Sequence, residues 1–302
     1  MNRKQLGRTG VFIPEVGIGT WNYQAGPDLL RKGVELGAAL VDTAESYGTD
    51  AVIRKGLAGL RDRVFLATKV SAANFRAREL KRSADASLER LGIDTIDLLQ
   101  LHEPNPSVPI EETMGALEDL VDAGKVRFIG VSNFSVAQLQ QAQSTLTKHS
   151  IVSNQVRYNL ADRTIETDLL PYCQAHGITV IAYSPLARSL CRIRDCDANG
   201  VLDALARTTG RSVAQIALNW CLCKDSVVVI PKSNSEEHIL DNCAASEWRL
   251  TTEQVRLLDE SIRYRRRTGW DMLVRRSVPR RLRPLALWAA NRLPRRVRRR
   301  LV

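Results

Sequence analysis

The sequence lacks any apolar stretch approaching the roughly 20 residues that a helix needs to cross a bilayer. It also lacks the apolar segment of a secretory signal near residue 1, so we expect a cytoplasmic protein with six free thiols. Histidine is scarce, at four residues, and no two cysteines have the C-x-x-C spacing. These absences argue against a helical membrane span and against a structural zinc site, and we predict no metal.

Acidic residues are nearly missing from one part of the chain. Residues 263–302 contain 15 arginines and a single acid, Asp271, and therefore carry a charge of +14. The net charge of all 302 residues is +11, which leaves the first 262 residues at −3. We predict a body, residues 1–262, large enough for one barrel-sized domain or two smaller ones, followed by an Arg-rich extension, residues 263–302.

The extension mixes arginines with a short apolar segment. Trp288 lies in the run PLALWAANRL, and Leu293, Val297 and Leu301 recur at a helical spacing of four, interrupted at Pro294. This pattern fits an amphipathic helix at an anionic membrane surface, with Trp288 at the interface. A disordered, solvated segment is the first interpretation of this composition, and the membrane-bound helix is the second. Few aromatic residues alternate with the arginines, which disfavours nucleic acid as the partner.

Short apolar runs recur along the body, with helical patterns between them. After a β-hairpin pattern with its turn at Thr9 and Gly10, eight strands are predicted to begin at Val16, Ala39, Val64, Ile96, Val126, Ile151, Ile178 and Ser226. One intervening helix, from Ile110 to Lys125, has a capping glycine at Gly124. Eight such units predict a (β/α)8 TIM barrel with an N-terminal β-hairpin, and a doubly wound open sheet is the alternative.

In a barrel of this kind, catalytic groups lie at the C-terminal ends of the strands. Asp42 ends the second predicted strand and Tyr47 follows it, while Lys69 ends the third and His102 the fourth. We therefore expect these side chains to meet at one end of the barrel, its mouth. The later strands end on Ser132, Asn133, Gln155, Tyr183 and Lys232.

The first four side chains suit reduction of a carbonyl by hydride transfer. A free tyrosine, with a pKa of about 10, is a poor acid, and a neighbouring Lys69 is expected to lower the pKa of Tyr47. Asp42 would pair with Lys69, and a neutral His102 would donate a hydrogen bond to the substrate oxygen. Three of these side chains also have a structural alternative: a helix N-cap for Asp42, a solvated strand end for Lys69 and a core imidazole for His102.

A dinucleotide fingerprint is present only in part. The run GIGTW, residues 17–21, lacks the third glycine of G-x-G-x-x-G, so it is a weak signal for a Rossmann domain. Gly19 nevertheless permits a close approach of the backbone to a ligand.

A set of motifs extends these patterns across the body. VGIGTW, VDTAESYG, ATKV, LLQLH, FIGVSNF, NQVRYN, AYSPL and VVIPKSN follow one another between Leu6 and Ile262. In this order and spacing, the sequence resembles the aldo-keto reductase superfamily, in its bacterial type. The resemblance implies a (β/α)8 barrel that uses NADPH to reduce a small-molecule aldehyde or ketone. It also implies that Tyr47 is the general acid, supported by Asp42, Lys69 and His102.

The resemblance further implies a cofactor site. Ser132, Asn133 and Gln155 match residues that hold the nicotinamide carboxamide, and Tyr183 matches the ring that stacks on the nicotinamide. Other matches are Ser184, Pro185 and Leu186 along the pyrophosphate, Lys232 and Ser233 at the 2′-phosphate, and Asp241 and Asn242 at the adenine. The predicted cofactor-binding set is completed by Gly19, Thr20, Trp21, Asp42, Ile230 and His238.

The sequence departs from the family pattern at three places: Asn105, where aspartate often stands, and two that bear on the cofactor. His238 stands where many members carry an arginine or glutamine near the adenosine phosphate, which keeps NAD as an alternative to NADP. The loop of residues 187–199 is rich in arginine and cysteine, and its part in cofactor binding is open. We expect Trp21, Tyr23, Asn74 and Phe75 to line an apolar mouth. The identity of the carbonyl substrate and the oligomeric state are left open.

A second hypothesis uses the same barrel differently. The protein could be a nucleotide-binding, redox-sensing regulatory or scaffold protein that docks to a membrane or a partner through residues 263–302. Potassium-channel beta subunits, which share the family fold, have such a role. The presence of Asp42, Tyr47, Lys69 and His102 together favours the enzyme, because a scaffold has no need of all four.

Truncation after Ile262 separates the body from the extension. We expect the shortened protein to retain its turnover and to lose binding to anionic liposomes, because the excess positive charge lies in the extension. Co-sedimentation with liposomes and a steady-state assay measure the two properties. Loss of turnover would instead make the extension part of the substrate pocket.

Overall fold

Eight parallel strands form the centre of the structure, a computed structural model that describes residues 1–264. They are β3 (Ile18–Gly19), β4 (Leu40–Asp42), β5 (Phe65–Val70), β6 (Ile96–Leu101), β7 (Val126–Ser132), β8 (Ile151–Arg157), β9 (Thr179–Tyr183) and β10 (Val227–Ile230). Each strand pairs with the next along the chain. All eight predicted strands are confirmed, with boundaries within about two residues.

The sheet closes on itself between its first and last strands. Val16 forms a parallel bridge with Val229, and the Gly17 amide donates a hydrogen bond to the Val229 carbonyl at 2.8 Å. One step further, the Gly19 amide donates to the carbonyl of Pro231 at 3.1 Å. The predicted (β/α)8 barrel is therefore confirmed, and the open doubly wound sheet is wrong.

The predicted N-terminal hairpin closes the end of the barrel opposite the mouth. Strands β1 (Arg3–Gln5) and β2 (Phe12–Pro14) pair antiparallel, and Gly10 in the turn between them has a φ of 76°. Leu6 and Ile13 are fully buried against apolar side chains from inside the barrel. This end of the molecule is consequently closed by apolar packing.

The helices described surround the barrel and connect its strands. They are α1 (Pro27–Glu35), α2 (Asp50–Gly56), α3 (Ala77–Leu91), α4 (Ile110–Asp122), α5 (Val136–Thr145), α6 (Leu169–His176), α7 (Leu190–Arg194), α8 (Val201–Thr209), α9 (Val213–Leu222), α10 (Glu236–Cys243) and α11 (Thr252–Ser261). Helix α4 ends at Asp122, three residues before the end of the predicted range, and Gly124 caps it as predicted: it takes a φ of 72°, and Lys125 donates its amide hydrogen to the Leu120 carbonyl. None of the helices in residues 1–264 is long and apolar enough to cross a membrane.

Side chains inside the barrel change from apolar to polar along each strand. Every residue of β4, β5 and β6 is buried, since one face of the sheet meets the helices and the other the barrel interior. On the interior face, Leu98 is followed two residues later by Gln100, and Ala67 by Lys69. The barrel thus has an apolar base and a polar end, where the strands point toward the mouth.

The start of the predicted extension contacts the barrel. The Arg263 amide donates to the Cys196 carbonyl at 2.8 Å, and the Arg163 guanidinium lies 4.8 Å from the centre of the Tyr264 ring. Residues 265–302, on which the predictions of a disordered segment or an amphipathic helix depend, lie outside the described residues. The boundary at residue 262 stays a prediction.

Closure of the barrel requires a residue without a side chain at position 17. A Cβ there would lie 2.5 Å from the Leu40 carbonyl oxygen, so Gly17→Ala should lower the free energy of unfolding by about 1–3 kcal/mol. Gly115→Ala is the matched control, because a Cβ in the middle of α4 meets nothing within 4 Å. That change should raise the free energy of unfolding by about 0.5–1 kcal/mol. Urea denaturation of both variants measures the two changes in the free energy of unfolding, which should be opposite in sign.

Candidate active site

A cavity of about 1000 Å³ opens at the C-terminal ends of the strands. Its position agrees with the expectation that the polar strand ends meet at one mouth. All of the predicted site residues line it except Thr20, Lys69 and Ser233. These three are buried, at 0%, 1% and 4% exposure.

An ion pair between Asp42 and Lys69 lies beneath the cavity floor. Lys69 Nζ donates a hydrogen bond to Asp42 Oδ1 at 2.6 Å and another to the Thr43 carbonyl at 2.7 Å. The side chains of Lys69 and Asp42 are only 1% and 3% exposed. Burial lowers the pKa of Lys69, and the carboxylate of Asp42 opposes that shift. The pairing agrees with the interaction predicted for these residues, and Lys69 is not a solvated strand end.

The second oxygen of Asp42 accepts hydrogen bonds from two amides. Gln155 Nε2 donates to Asp42 Oδ2 at 2.7 Å, and Gln100 Nε2 lies 3.3 Å from the same oxygen. Gln155 also donates to Gln100 Oε1 at 3.3 Å. Gln100 was not among the predicted site residues, although a single amide within the apolar run IDLLQL is a detectable signal.

Tyr47 stands over this pair beside His102. Lys69 Nζ lies 5.0 Å from the centre of the Tyr47 ring, and the Tyr47 and His102 ring centroids are 5.7 Å apart at an angle of 76°. Burial raises the pKa of Tyr47, and the negative charge of Asp42 raises it further. The expectation of a lowered pKa is wrong for the structure, because burial first and the negative charge of Asp42 second both raise it. Tyr47 is therefore a protonated phenol, the form that a proton donor requires.

His102 is a neutral imidazole at neutral pH. Burial lowers the pKa of His102 to about 4, and the positive charge of Lys69 contributes to the shift. The backbone amide of His102 donates to the Val70 carbonyl at 3.0 Å, which ties the residue to the end of β5. The predicted neutral state thus follows from its surroundings.

Threonine hydroxyls hold both ends of the loop that carries Tyr47. Thr43 and Thr49 are joined by a hydrogen bond of 2.9 Å between their hydroxyl oxygens, and Thr49 is joined to Thr20 at 3.1 Å. The Thr20 hydroxyl also donates to the Asp42 carbonyl at 3.0 Å. Thr20, predicted to bind the cofactor, is thereby placed behind the cavity wall, where it supports the loop.

Four of the predicted nicotinamide-binding residues form a connected network. Asn133 Nδ2 donates to Ser132 Oγ at 3.0 Å, and Ser132 Oγ donates to the Gln155 carbonyl at 2.9 Å. The Tyr183 hydroxyl donates to Asn133 Oδ1 at 3.0 Å. Asn133 has a φ of 62°, a left-handed conformation that asparagine adopts more readily than most residues. These contacts join the ends of β7, β8 and β9 into one wall of the cavity.

The far end of the cavity is built by the residues after β10. Lys232 lines it, while the Ser233 hydroxyl turns away and donates to the Ser235 carbonyl at 3.0 Å. Asp241 accepts hydrogen bonds of 2.8 Å from the Ser212 hydroxyl and from the Gln215 side chain. Ser212, Val213 and Ala214 at the start of α9 also line the cavity, and no sequence motif marked them.

The loop whose role the sequence left open also forms part of the wall. Arg188, Cys191 and Arg194 line the cavity, and the Arg188 guanidinium lies 4.8 Å from the centre of the Trp21 ring. Ala187 and Arg188 have φ values of 53° and 69°. The left-handed turn brings the loop across toward Trp21, which is 48% exposed.

Three of the four residues expected to line an apolar mouth are placed elsewhere. Trp21 lines the cavity, but the Tyr23 hydroxyl donates to the Gly26 carbonyl at 3.2 Å. Asn74 Nδ2 donates to Glu45 Oε1 at 3.0 Å, and Phe75 is 1% exposed within the apolar core. The expectation was wrong for Tyr23, Asn74 and Phe75, because their loops fold back onto the barrel.

Among residues 1–264, no group of three or more His, Cys, Asp or Glu side chains is arranged to hold a metal. The described site brings together the buried ion pair, the phenol and the imidazole, with the amide and hydroxyl donors of the cavity wall.

Comparison with known proteins agrees with this geometry. Residues 15–263 match the model of the aldo/keto reductase family. The chain belongs to the aldo/keto reductase family. Methylglyoxal reductase YeaE of Escherichia coli (strain K12) is 37% identical over 274 residues, which cover 86% of this chain and 95% of the relative. Aldo-keto reductase YhdN of Bacillus subtilis (strain 168) is 33% identical, over 74% of this chain and 81% of the relative.

Solved structures also place the chain among the aldo-keto reductases. An aldo-keto reductase from Klebsiella pneumoniae in complex with NADPH has a TM-score of 0.82 at 35% identity, covering 88% of this chain and 98% of that one. The thermostable aldo-keto reductase Tm1743, in complex with the inhibitor epalrestat, has a TM-score of 0.80 at 39% identity, covering 86% and 99%. The resemblance inferred from the motifs is confirmed, and so is the enzyme class of NAD(P)H-dependent oxidoreductase.

The low pKa of His102 makes the stability of the protein depend on pH. The unfolded chain, with a histidine pKa of about 6.5, binds a proton more readily than the folded protein does. Between pH 6.5 and about 4, the free energy of unfolding should therefore fall as the pH falls, through the contribution of His102. His102→Gln should flatten this part of the dependence. Urea denaturation across this pH range measures the free energy of unfolding of the wild type and of His102→Gln. Parallel curves for the two would contradict the attribution of this pH dependence to His102.

Proposed function

We propose that the protein reduces the carbonyl group of an aldehyde or ketone to an alcohol with NADPH, and that Tyr47 donates the proton. The observation that carries the proposal is a neutral phenol and a neutral imidazole side by side above a buried ion pair. They stand in the wall of a cavity of about 1000 Å³, which is large enough for a dinucleotide together with a small substrate.

The residues of the cavity wall fit the nicotinamide cofactor. Ser132, Asn133 and Gln155 would hold its carboxamide, and Tyr183 offers a ring for stacking. Gln155 directs its amide hydrogens toward Asp42, which leaves its oxygen to accept from the carboxamide. When bound, the cofactor supplies the hydride that adds to the carbonyl carbon.

NADPH is favoured over NADH by the charge at the far end of the cavity. Lys232 lines that end, and a lysine ammonium binds a phosphate as a point charge. The Klebsiella pneumoniae relative is in complex with NADPH. His238 lines the same end, and NAD stays the alternative cofactor because histidine is a weaker partner for phosphate than arginine at neutral pH.

The protein side chains have separate tasks in this mechanism. His102 donates a hydrogen bond to the carbonyl oxygen and orients it. Tyr47 gives its hydroxyl proton to that oxygen as negative charge develops there. The phenolate left behind is stabilised by Lys69, whose Nζ lies 5.0 Å from the tyrosine ring centre, and Asp42 keeps Lys69 charged.

Small aldehydes are the first substrates to test. The Escherichia coli relative is named for the reduction of methylglyoxal, a small dicarbonyl compound. In this chain, the Tyr47 and His102 side of the cavity includes the exposed ring of Trp21 and the side chains of Asn22 and Ser46. We propose a small carbonyl compound of this class as the substrate.

The division of the chain and its location in the cell are part of the same proposal. Residues 1–262 form the catalytic barrel, and residues 263–302 are a basic extension that binds an anionic membrane surface. The protein is cytoplasmic in this proposal. The regulatory or scaffold role stays an alternative prediction, since it depends on residues outside those described.

Tyr47→Phe tests the proton donor directly. Removing the hydroxyl should lower kcat for a panel of small aldehydes by about 10²–10⁴-fold, because proton donation is lost while the ring remains. NADPH consumption measured at 340 nm by absorbance follows the reaction. Tyr172→Phe is the matched control, since this ring stacks on His176 at 4.0 Å, away from the residues that line the cavity, and its activity should match the wild type.

Two results would contradict different parts of the proposal. If the wild-type protein consumes no NADPH with any carbonyl compound of the panel, the proposed reaction is wrong. If Tyr47→Phe keeps its activity, the reaction stands but Tyr47 is not its proton donor.

A further inference from the structure

Arg157 lies in the cavity wall at a position that the family resemblance does not assign to the cofactor. It ends β8 two residues after Gln155, so the two side chains lie on the same face of the strand. Arg157 is also in register with Tyr183 on β9. Both residues line the cavity, at the ring on which the nicotinamide is proposed to stack.

The Arg157 guanidinium is held by an aromatic ring. Its central carbon lies 5.6 Å from the centre of the Tyr183 ring, a cation–π contact. Its Nε atom is buried and has no hydrogen-bond partner in residues 1–264. The Tyr183 ring is itself fixed by its hydroxyl, which donates to Asn133 at 3.0 Å. The cavity wall therefore sets the position and the orientation of the Arg157 guanidinium.

Two cations near the cavity have a carboxylate as partner. Lys69 pairs with Asp42 at 2.6 Å, and Arg194 pairs with Asp203 at 2.7 Å. Arg157 forms no ion pair with any carboxylate of the described residues. Its positive charge is thus not offset by a neighbour in the part of the chain that the structure describes, and it acts on whatever binds against Tyr183.

We propose that Arg157 makes the cofactor site selective for the reduced form of the nicotinamide. The oxidised nicotinamide ring carries a positive charge, whereas the reduced ring is neutral, and the phosphates are the same in both. A cation against the Tyr183 ring repels the oxidised ring and leaves the reduced ring almost unaffected. This inference rests on the proposed function, in which NADPH binds with its nicotinamide on Tyr183.

The size of the effect follows from the interaction of two unit charges. At a separation of about 10 Å, with an effective dielectric constant between about 20 and 80, repulsion weakens binding by about twofold to fifteenfold. NADP⁺ would therefore bind more weakly, relative to NADPH, than it does without Arg157. The consequence is a site that favours the cofactor needed for carbonyl reduction and releases the oxidised product more readily.

Calorimetric titration with NADPH and with NADP⁺ tests the proposal without any turnover. In Arg157→Met, the ratio of the dissociation constants for NADP⁺ and NADPH should fall by about twofold to fifteenfold, chiefly through tighter binding of NADP⁺. Arg157→Lys, which keeps the charge, should stay close to the wild-type ratio. Arg127→Met is the matched control, because Arg127 lies 5.3 Å from the Phe128 ring near the start of β7, at the other end of the barrel.

The remaining outcomes of the titration overturn the proposal, and each one shows which part of it is wrong. An unchanged ratio in Arg157→Met means that its charge does not reach the nicotinamide. Equal weakening of both dissociation constants means that Arg157 binds a phosphate. If the wild type binds neither cofactor form, the proposed function fails together with the inference. Thermal unfolding verifies that Arg157→Met is folded, and Arg157→Gln provides a second neutral variant for the same titration.

Discussion

The buried ion pair between Asp42 and Lys69 is the interaction on which the rest of the site depends. Two charges removed from water carry a large desolvation cost, which only close pairing and further hydrogen bonds can offset. Here Lys69 Nζ also donates to the Thr43 carbonyl, and the second oxygen of Asp42 accepts from Gln155 and Gln100. These contacts join the ends of β4, β5, β6 and β8 at one point. Loss of one charge would leave the other buried without a partner, at a cost of about 3–5 kcal/mol.

The same pair sets the protonation of the groups above it. Since Asp42 offsets Lys69, the phenol of Tyr47 experiences mainly its own burial and the carboxylate, and its pKa is raised. His102 experiences burial and the lysine charge, and its pKa is lowered to about 4. Both rings are consequently neutral at neutral pH, the form that the proposed proton donor and the proposed hydrogen-bond donor require. Arg157 lacks such an offset within the described residues, and its proposed effect on the cofactor depends on that difference.

Much of the fold and part of the site could be predicted because their signals are local. The apolar runs and their spacing indicated eight strands, and the C-terminal ends of those strands placed Asp42 and Lys69 at one mouth. The contribution of the loop after β9 could not be predicted. Ala187 and Arg188 adopt positive φ although neither is a glycine. The residue types therefore did not indicate the turn that brings Arg188 to Trp21. Gln100 was missed because a single amide in an apolar run does not specify its partner.

The sequence by itself determined the positions of the strands, the residue types at their ends and membership of the aldo/keto reductase family. These depend on the order of residues along the chain, which determines periodicity and motif spacing. Only the tertiary structure decided that Gln155 and Gln100 donate to Asp42, that the pKa of Tyr47 is raised, and that Arg157 stands against Tyr183. The physical reason is that hydrogen-bond partners, burial and electrostatic shifts depend on distances through space, between residues as far apart along the chain as Asp42 and Gln155.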